Sequence, residues 1–333
     1  MAPRILDLYC GMGGFSLGFA LALEGARAHG VDIDKYAVET YNLNLGRFGC
    51  RAERADLLNW EPSEEFDMII GGSPCQPFSS ANRYNVGARH PLFPTFRRYF
   101  EIVGIVSPRV FVFENVVGLL RPRFRVLLEA HLSRLARDYS IKYGILNAAD
   151  YGVPQTRMRA IVVGIRRDER AEFVFPVPTH SESGEPARWV GADEALRGVE
   201  DGFSLIARGI GYSNCDFRFA DKPAYTILTR FTGDKAAYLV WLSPRRLKKL
   251  GVRESMRFQS FPDWWRFPES VPEVRRLRLV GEAVPPILSY RLAIALGRAF
   301  GFRTREPPRE EEWDLPYFRR AFEDYFGEAG GGG

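Results

Sequence analysis

A chain of 333 residues, 46% hydrophobic and 26% charged, has an ordinary globular composition and is long enough for one large domain or two ordinary ones. No apolar run approaches the ~20 residues of a membrane span, and charges at Arg4 and Asp7 break any leader pattern; a cytoplasmic location is expected. The four cysteines (Cys10, Cys50, Cys75, Cys215) lack CxxC or CxxH spacing, which argues against a zinc site or a disulfide framework, and no metal is expected. The net charge is +5 and 40 of the 46 basic residues are arginine, a side chain that suits phosphates and base faces.

In chain order, Arg4–Tyr9 reads as a strand, followed by a Gly-rich turn and a helix near Ser16–Gly25. Ala26–Asp32 reads as a second strand and Tyr36–Leu43 as a helix. Phe66–Gly72 and Val110–Glu114 are β-rich apolar runs bounded by turn residues, the pattern of buried strands. Arg125–Tyr139 carries Leu128, Leu132 and Leu135 at helical spacing, and Ile141–Leu146 and Ala160–Ile165 are strand-like. Such alternation predicts an α/β fold with a parallel, doubly wound sheet and ligands at the carboxyl ends of its strands. Residues 168–240 lose this rhythm and read as a smaller lobe of loops and short strands. A helical pattern resumes from Pro285 through Phe300. Beyond it, 305–312 are rich in proline and acid, Trp313–Phe326 reads as an aromatic-faced helix, and the terminal glycines are expected to be disordered.

Two sets of residues carry chemistry. Asp7-Leu8-Tyr9-Cys10-Gly11-Met12-Gly13-Gly14 places a Gly-rich turn directly after the first strand, where backbone can approach a ligand. Asp32 ends the second strand, where an acid meets ribose hydroxyls, and Asp56 ends the next extended stretch. Each Asp could equally cap a helix; together they describe a nucleoside pocket without naming the nucleoside. The spacing is not GxGxxG, since position 16 is Ser, which disfavours a nicotinamide dehydrogenase.

The second set begins with Ser73-Pro74-Cys75-Gln76, a Pro-flanked cysteine straight after the strand Phe66–Ile70. A thiol so placed faces a cleft, and nearby arginines or a helix N-terminus could favour its thiolate. Glu114 closes the next strand, where a carboxylate is costly unless paired or used. In Gln155-Thr156-Arg157-Met158-Arg159 the alternation points Arg157 and Arg159 to the same side. A thiol, an acid and paired arginines suit addition to an electron-poor ring beside a phosphate.

These residues resemble the cytosine-5 DNA methyltransferases: DLYCGMGGFSLG at 7–18, VDIDKYAVETYNLN at 31–44, GGSPCQPFS at 71–79, FENV at 113–116, LNAADYGVPQTRMRAIVVG at 146–164, ESMRFQSFPDW at 254–264 and GEAVPP at 281–286. The order and spacing match across nearly the whole chain except 168–215 and the tail after 303. The resemblance implies an S-adenosylmethionine domain of 1–167 plus 280–303, a target-recognition domain of 168–279 and a tail of 304–333. It implies that Tyr9 stacks on the cofactor's adenine, that Gly11, Gly13 and Gly14 lie against its methionine part, and that Asp32 binds the ribose. Met12, Ile33, Asp56, Leu57, Pro74, Leu92, Ala283 and Val284 join these cofactor contacts. Cys75 is implied as nucleophile towards carbon 6 of a flipped-out cytosine, with Glu114 on the ring's N3 edge and Arg157 and Arg159 in the same catalytic group.

The implied partner is double-stranded DNA, touched by Gln76 and Ser79 and read by loops around 208–236, with Arg208, Arg218, Arg230 and Lys235 as candidates. A restriction endonuclease acting on the same site is a possible partner, and a monomer near the nucleoid is expected. Two departures stand out: Glu282 replaces the family's usual Asn in GEAVPP, and the stretch near Leu247–Gly251 is longer than usual. The rival readings are a transfer-RNA cytosine-5 methyltransferase, whose subgroup tends to carry Thr where Ser79 stands, and an inactive regulatory relative, which lacks the Cys or the Glu.

Overall fold

The computed structural model describes residues 2–79, 86–209, 216–229 and 236–326. They form two compact units, Met1–Leu146 with Met158–Phe175 and Ala293–Thr304, and Asn147–Arg157 with Pro176–Leu292 and Arg305–Gly333.

The first unit is built on seven strands, β1 (Arg4–Leu8), β2 (Arg27–Asp32), β3 (Arg51–Arg54), β4 (Met68–Gly71), β5 (Val110–Val116), β6 (Tyr139–Asn147) and β7 (Met158–Arg166), in the order β3-β2-β1-β4-β5-β7-β6. The sheet turns outward in both directions from the β1–β4 neighbours, so their carboxyl ends mark the switch point of a doubly wound fold. Helices α1 (Gly14–Ala22), α2 (Lys35–Leu45), α3 (Phe93–Val106) and α4 (Pro122–Leu135) connect the strands. Leu6, Leu8, Ile69, Phe111 and Phe113 are fully buried and share a core with Phe96, Tyr99 and Leu128 of α3 and α4. Removing a ring such as Phe111 would cost about 3–5 kcal/mol.

The expected all-parallel sheet requires one correction, because β7 runs antiparallel to β5. Residues 148–157 are the whole link from β6 to β7, and a parallel return needs a dozen or more residues, usually with a helix.

The second unit carries a four-stranded antiparallel sheet of β8 (Leu205–Arg208), β9 (Asp216–Phe219), β10 (Ala237–Trp241) and β11 (Arg246–Lys249), ordered β11-β10-β8-β9. Ile206 and Leu239 are buried beneath it. Helices α5 (Ala192–Leu196), α6 (Val252–Phe258) and α7 (Glu273–Glu282) precede α8 (Pro286–Phe300), so helix resumes well before Pro285, earlier than expected. Within Glu273–Phe300 lies a stretch apolar and long enough to cross a membrane by composition, but 78% of it is buried inside the protein, as in a core helix.

The expected single helix over Trp313–Phe326 is instead three short ones, α9 (Glu310–Trp313), α10 (Phe318–Ala321) and α11 (Glu323–Phe326). Asp314 at φ 42 and then Pro316 interrupt the backbone, while Trp313, Phe318 and Phe322 still reach the interior. His180 anchors this tail: its ring bonds the Arg320 carbonyl at 2.7 Å and the Thr179 hydroxyl at 2.8 Å. Burial, the largest cause, lowers its pKa to about 4. A depressed pKa means stability present above pH ~6.5 and lost as pH falls from there through ~4, a span worth roughly 3 kcal/mol. Thermal melting is therefore expected to fall on this acid limb, and less steeply in His180→Asn; equal slopes in the two proteins would refute the assignment.

Candidate active site

The first unit gathers its reactive side chains at the carboxyl ends of β1, β4 and β5. After β4 the chain turns through Cys75–Phe78, closed by the Phe78 N–H to the Cys75 carbonyl at 3.0 Å. Phe78 is fully buried, with its ring 4.9 Å from Phe96 and 5.6 Å from Phe124, so it roots the turn in the core. Cys75 is half-buried, whereas Cys10 and Cys50 are buried and burial pushes their thiols up. Of the described cysteines, Cys75 alone combines exposure with a loop at a strand end. Cys215 lies outside the described residues.

The turn is tied to the next strand. Asn115 donates its side-chain amide to the Ser73 carbonyl at 3.0 Å. Gly72 lies against Glu114 so closely that a Cβ would sit 2.4 Å from the Glu114 carbonyl oxygen; any larger residue would push the two strand ends apart. The Glu114 carboxylate accepts from Arg159 Nε at 2.7 Å, both side chains being only 12–13% exposed. Antiparallel pairing explains this contact, because it sets Val116 opposite Arg159 and Glu114 opposite Ile161.

Arg157 does not share that position. It is 1% exposed, and its guanidinium donates to the carbonyls of Ile227 (3.2 Å), Gly281 (2.9 Å) and Ala283 (3.0 Å). The expected pair of cleft-facing arginines thus reduces to Arg159. Arg157 precedes β7, which begins at Met158, so strand alternation did not govern it.

At the β1 end, Gly13 at φ 94 caps α1, a conformation few other residues tolerate. The Gly11 N–H donates to one Asp32 oxygen and the Asp34 N–H to the other, both at 2.9 Å. Space is open at Gly11, and Ile33 next to Asp32 is 61% exposed. Tyr9, at φ 59, donates its hydroxyl to the Thr95 carbonyl at 2.7 Å. Met12 and Leu57 are buried, so a ligand would meet backbone there. Gly14 opens α1, and Leu92 caps α3 with its N–H on His90 Nδ1 at 3.0 Å. Asp56 accepts from Leu58 N–H and the Asn59 amide, holding a local turn. Behind the turn, Asp7 accepts from Ser16 at 2.6 Å, and burial raises its pKa to about 7.

The family model for C-5 cytosine-specific DNA methylase matches residues 3–190 and 208–298. The chain belongs to this family. Among curated relatives, Type II methyltransferase M.NgoFVII of Neisseria gonorrhoeae is 31% identical over 85% of this chain and 83% of its own. Type II methyltransferase M.AplI of Arthrospira platensis is 32% identical over 94% and 90%. Solved structures share the fold. Dnmt2 methyltransferase of S. pombe superposes with a TM-score of 0.67 at 19% identity, covering 89% of this chain and 99% of that one. Entamoeba histolytica methyltransferase EhMeth gives 0.68 at 14%, over 90% and 98%. The chain is accordingly a DNA cytosine-5 methyltransferase.

In this methylase the expected DNA-reading residues have mixed surroundings. Arg208 pairs with Asp216 at 2.5 Å, and Arg218 donates to Thr156 Oγ1 at 2.8 Å. Both guanidiniums lie over the Tyr225 ring, at 4.8 and 4.0 Å. Gln76 and Ser79 are half-buried on the Cys75 turn; Arg230 and Lys235 fall outside the described residues. Glu282, the departure in GEAVPP, is exposed and pairs with Arg278 at 2.8 Å one turn earlier on α7, so its charge is met locally. Ala283 is buried and Val284 half-buried in the second unit.

Sequence reasoning missed Gln155 and Gln259. Gln155 donates to the Phe258 carbonyl at 3.0 Å and accepts from Ile227 N–H at 2.8 Å, while Gln259 donates to the carbonyls of Val280 and Ala283. Both are fully buried. No sequence signal marks this role, since Gln155 is followed by Thr156 and Arg157 and Gln259 stands between Phe258 and Ser260 near Arg257.

Proposed function

We propose that this methylase transfers a methyl group from S-adenosylmethionine to carbon 5 of a cytosine flipped out of a short duplex site, through a covalent bond between Cys75 and carbon 6. The observation that carries the reading is the half-buried Cys75 on a turn tied to the strand end that holds Glu114 against Arg159.

The cofactor's chemistry fits the β1 end: an open glycine turn for its amino-acid part, Asp32 for its ribose, and the exposed Ile33 with Tyr9 for its adenine. Gly11, Gly13, Gly14, Asp56, Leu57, Pro74 and Leu92 complete the set. When bound, S-adenosylmethionine supplies an electrophilic methyl group on a sulfonium. The protein's part is to make cytosine nucleophilic. The Cys75 thiolate adds to carbon 6, and the electrons of the 5–6 double bond become available at carbon 5. Glu114, hydrogen-bonded at N3, favours that addition, and Arg159 holds both the acid and the base. Loss of the carbon-5 proton then restores the double bond and expels the Cys75 thiolate. Flipping costs a few kcal/mol of unstacking, which the pocket contacts must offset.

Asp32→Ala should raise KM for S-adenosylmethionine about 10–100-fold, the value of one or two charge-assisted hydrogen bonds, with kcat at saturation little changed. A fall in kcat alone would remove Asp32 from the cofactor site. The Type II designation of the relatives supports a sequence-specific DNA-modification enzyme; a cognate endonuclease and a monomeric state belong to the proposal. The direct test is incubation with labelled cofactor and duplex DNA, then digestion to nucleosides. We expect 5-methyl-2′-deoxycytidine; label confined to RNA, or to a cytosine nitrogen, would contradict the reading.

A further inference from the structure

Two segments flank the Cys75 turn. On one side, Gly87 donates its N–H to the Pro77 carbonyl at 2.8 Å and leads into the short turn Gly87–Arg89. On the other, Gly118 lies against Phe78, where a Cβ would approach the Phe78 carbonyl oxygen to 2.1 Å, and the chain runs on to Arg121 and α4. The segments meet where Gly87 rests on the Phe124 ring, 3.1 Å from the position a Cβ would take.

Arg89, Arg121 and Arg123 are all exposed there. The sequence has no Asp or Glu from Val86 to Phe100 or from Asn115 to Leu128. Among the described residues none of the three makes an ion pair, whereas Arg125 is met by Glu129 at 2.7 Å. Arg123 is laid over the Phe124 ring at 4.4 Å, which steadies its guanidinium.

Their place on α4 runs against helix electrostatics. The start of a helix carries partial positive charge and favours Ser, Asp or Glu. Here Arg121 is the N-cap with no capping bond, Arg123 follows in the first turn, and no acid is present in that turn. Cations gathered at the positive end of a 14-residue helix repel it and one another until an anion arrives.

We infer that Arg89, Arg121 and Arg123 form a phosphate-gripping site for the DNA backbone beside the target cytosine. The inference rests on the DNA-methylase reading and extends it. The site holds the strand on both sides of the Cys75 turn, and it reads charge rather than sequence.

The test is duplex binding as a function of salt, with Arg121→Gln/Arg123→Gln and, separately, Arg89→Gln. Each lost phosphate contact should make the slope of log affinity against log salt shallower by about 1. Cognate and non-cognate duplexes should weaken equally, while kcat at saturating DNA and KM for S-adenosylmethionine stay within about twofold. Melting of the free variants should match or exceed wild type. An unchanged slope, a loss confined to cognate sequence, or a lowered melting temperature would overturn the site; so would weakening of duplex RNA binding without weakening of DNA binding. Failure of the wild-type protein to methylate DNA would instead overturn the reading beneath it.

Discussion

Cys75→Ala is expected to lower methyl transfer by at least about 10⁴-fold while duplex binding persists within a few-fold. A magnitude of this order follows when the nucleophile of a concerted group is removed, because the remaining residues then act on nothing. No other described thiol can substitute. Cys10 and Cys50 are 7% and 4% exposed, and burial pushes both thiols up, away from the reactive thiolate. The Ser73–Asn115 bond uses backbone on the loop side, and Phe78 remains seated in its aromatic cluster, so removing one sulfur should leave the loop in place. Quench-flow turnover with labelled cofactor, beside a DNA-binding isotherm, separates the two effects.

Glu114→Gln should lower kcat about 10²- to 10⁴-fold, the range spanned by a well-placed general acid or base. It should also cost about 1–3 kcal/mol of stability, because Arg159 loses its carboxylate at a site only 12–13% exposed. The cofactor's KM should hardly move, since neither residue belongs to the glycine turn. Chemical denaturation and single-turnover rates on one variant test both statements. A variant with normal turnover would release Glu114 from the mechanism.

Much of this site could be read from sequence because its residues stand at strand ends. An apolar β-rich run fixes where a strand stops, and Cys75, Glu114 and Asp32 each follow such a run. Gly-rich spacing likewise located the turn that now shows Gly13 at φ 94. What failed depended on geometry beyond local pattern. Alternation put Arg157 beside Arg159, but the strand starts at Met158, and carbonyls distant in sequence claim the earlier guanidinium. The direction of β7 carries no side-chain signature; only the short 148–157 link constrains it. The aromatic spacing of 313–326 looked helical because those side chains are buried, yet Asp314 and Pro316 decide the backbone. Helix α7 is hard to read from sequence because five of its ten residues are arginines and glutamates, which leave only a narrow apolar stripe.

The partners of Gln155, Gln259 and Arg157 explain why the second unit needs buried polar residues at all. Each satisfies main-chain groups that no regular ladder serves, including the Gly281 and Ala283 carbonyls beside the break between α7 and α8. A sequence shows the glutamine but not the carbonyl it must meet.

The central claim is a sulfur–carbon bond between Cys75 and cytosine. Duplex DNA carrying 5-fluorocytosine at the target position tests it, because fluorine replaces the proton whose loss releases the enzyme. With S-adenosylmethionine present, wild-type protein should form a denaturant-stable adduct, and peptide mapping should place the modification on Cys75. An enzyme active on ordinary DNA that forms no adduct, or an adduct that survives in Cys75→Ala, would contradict it.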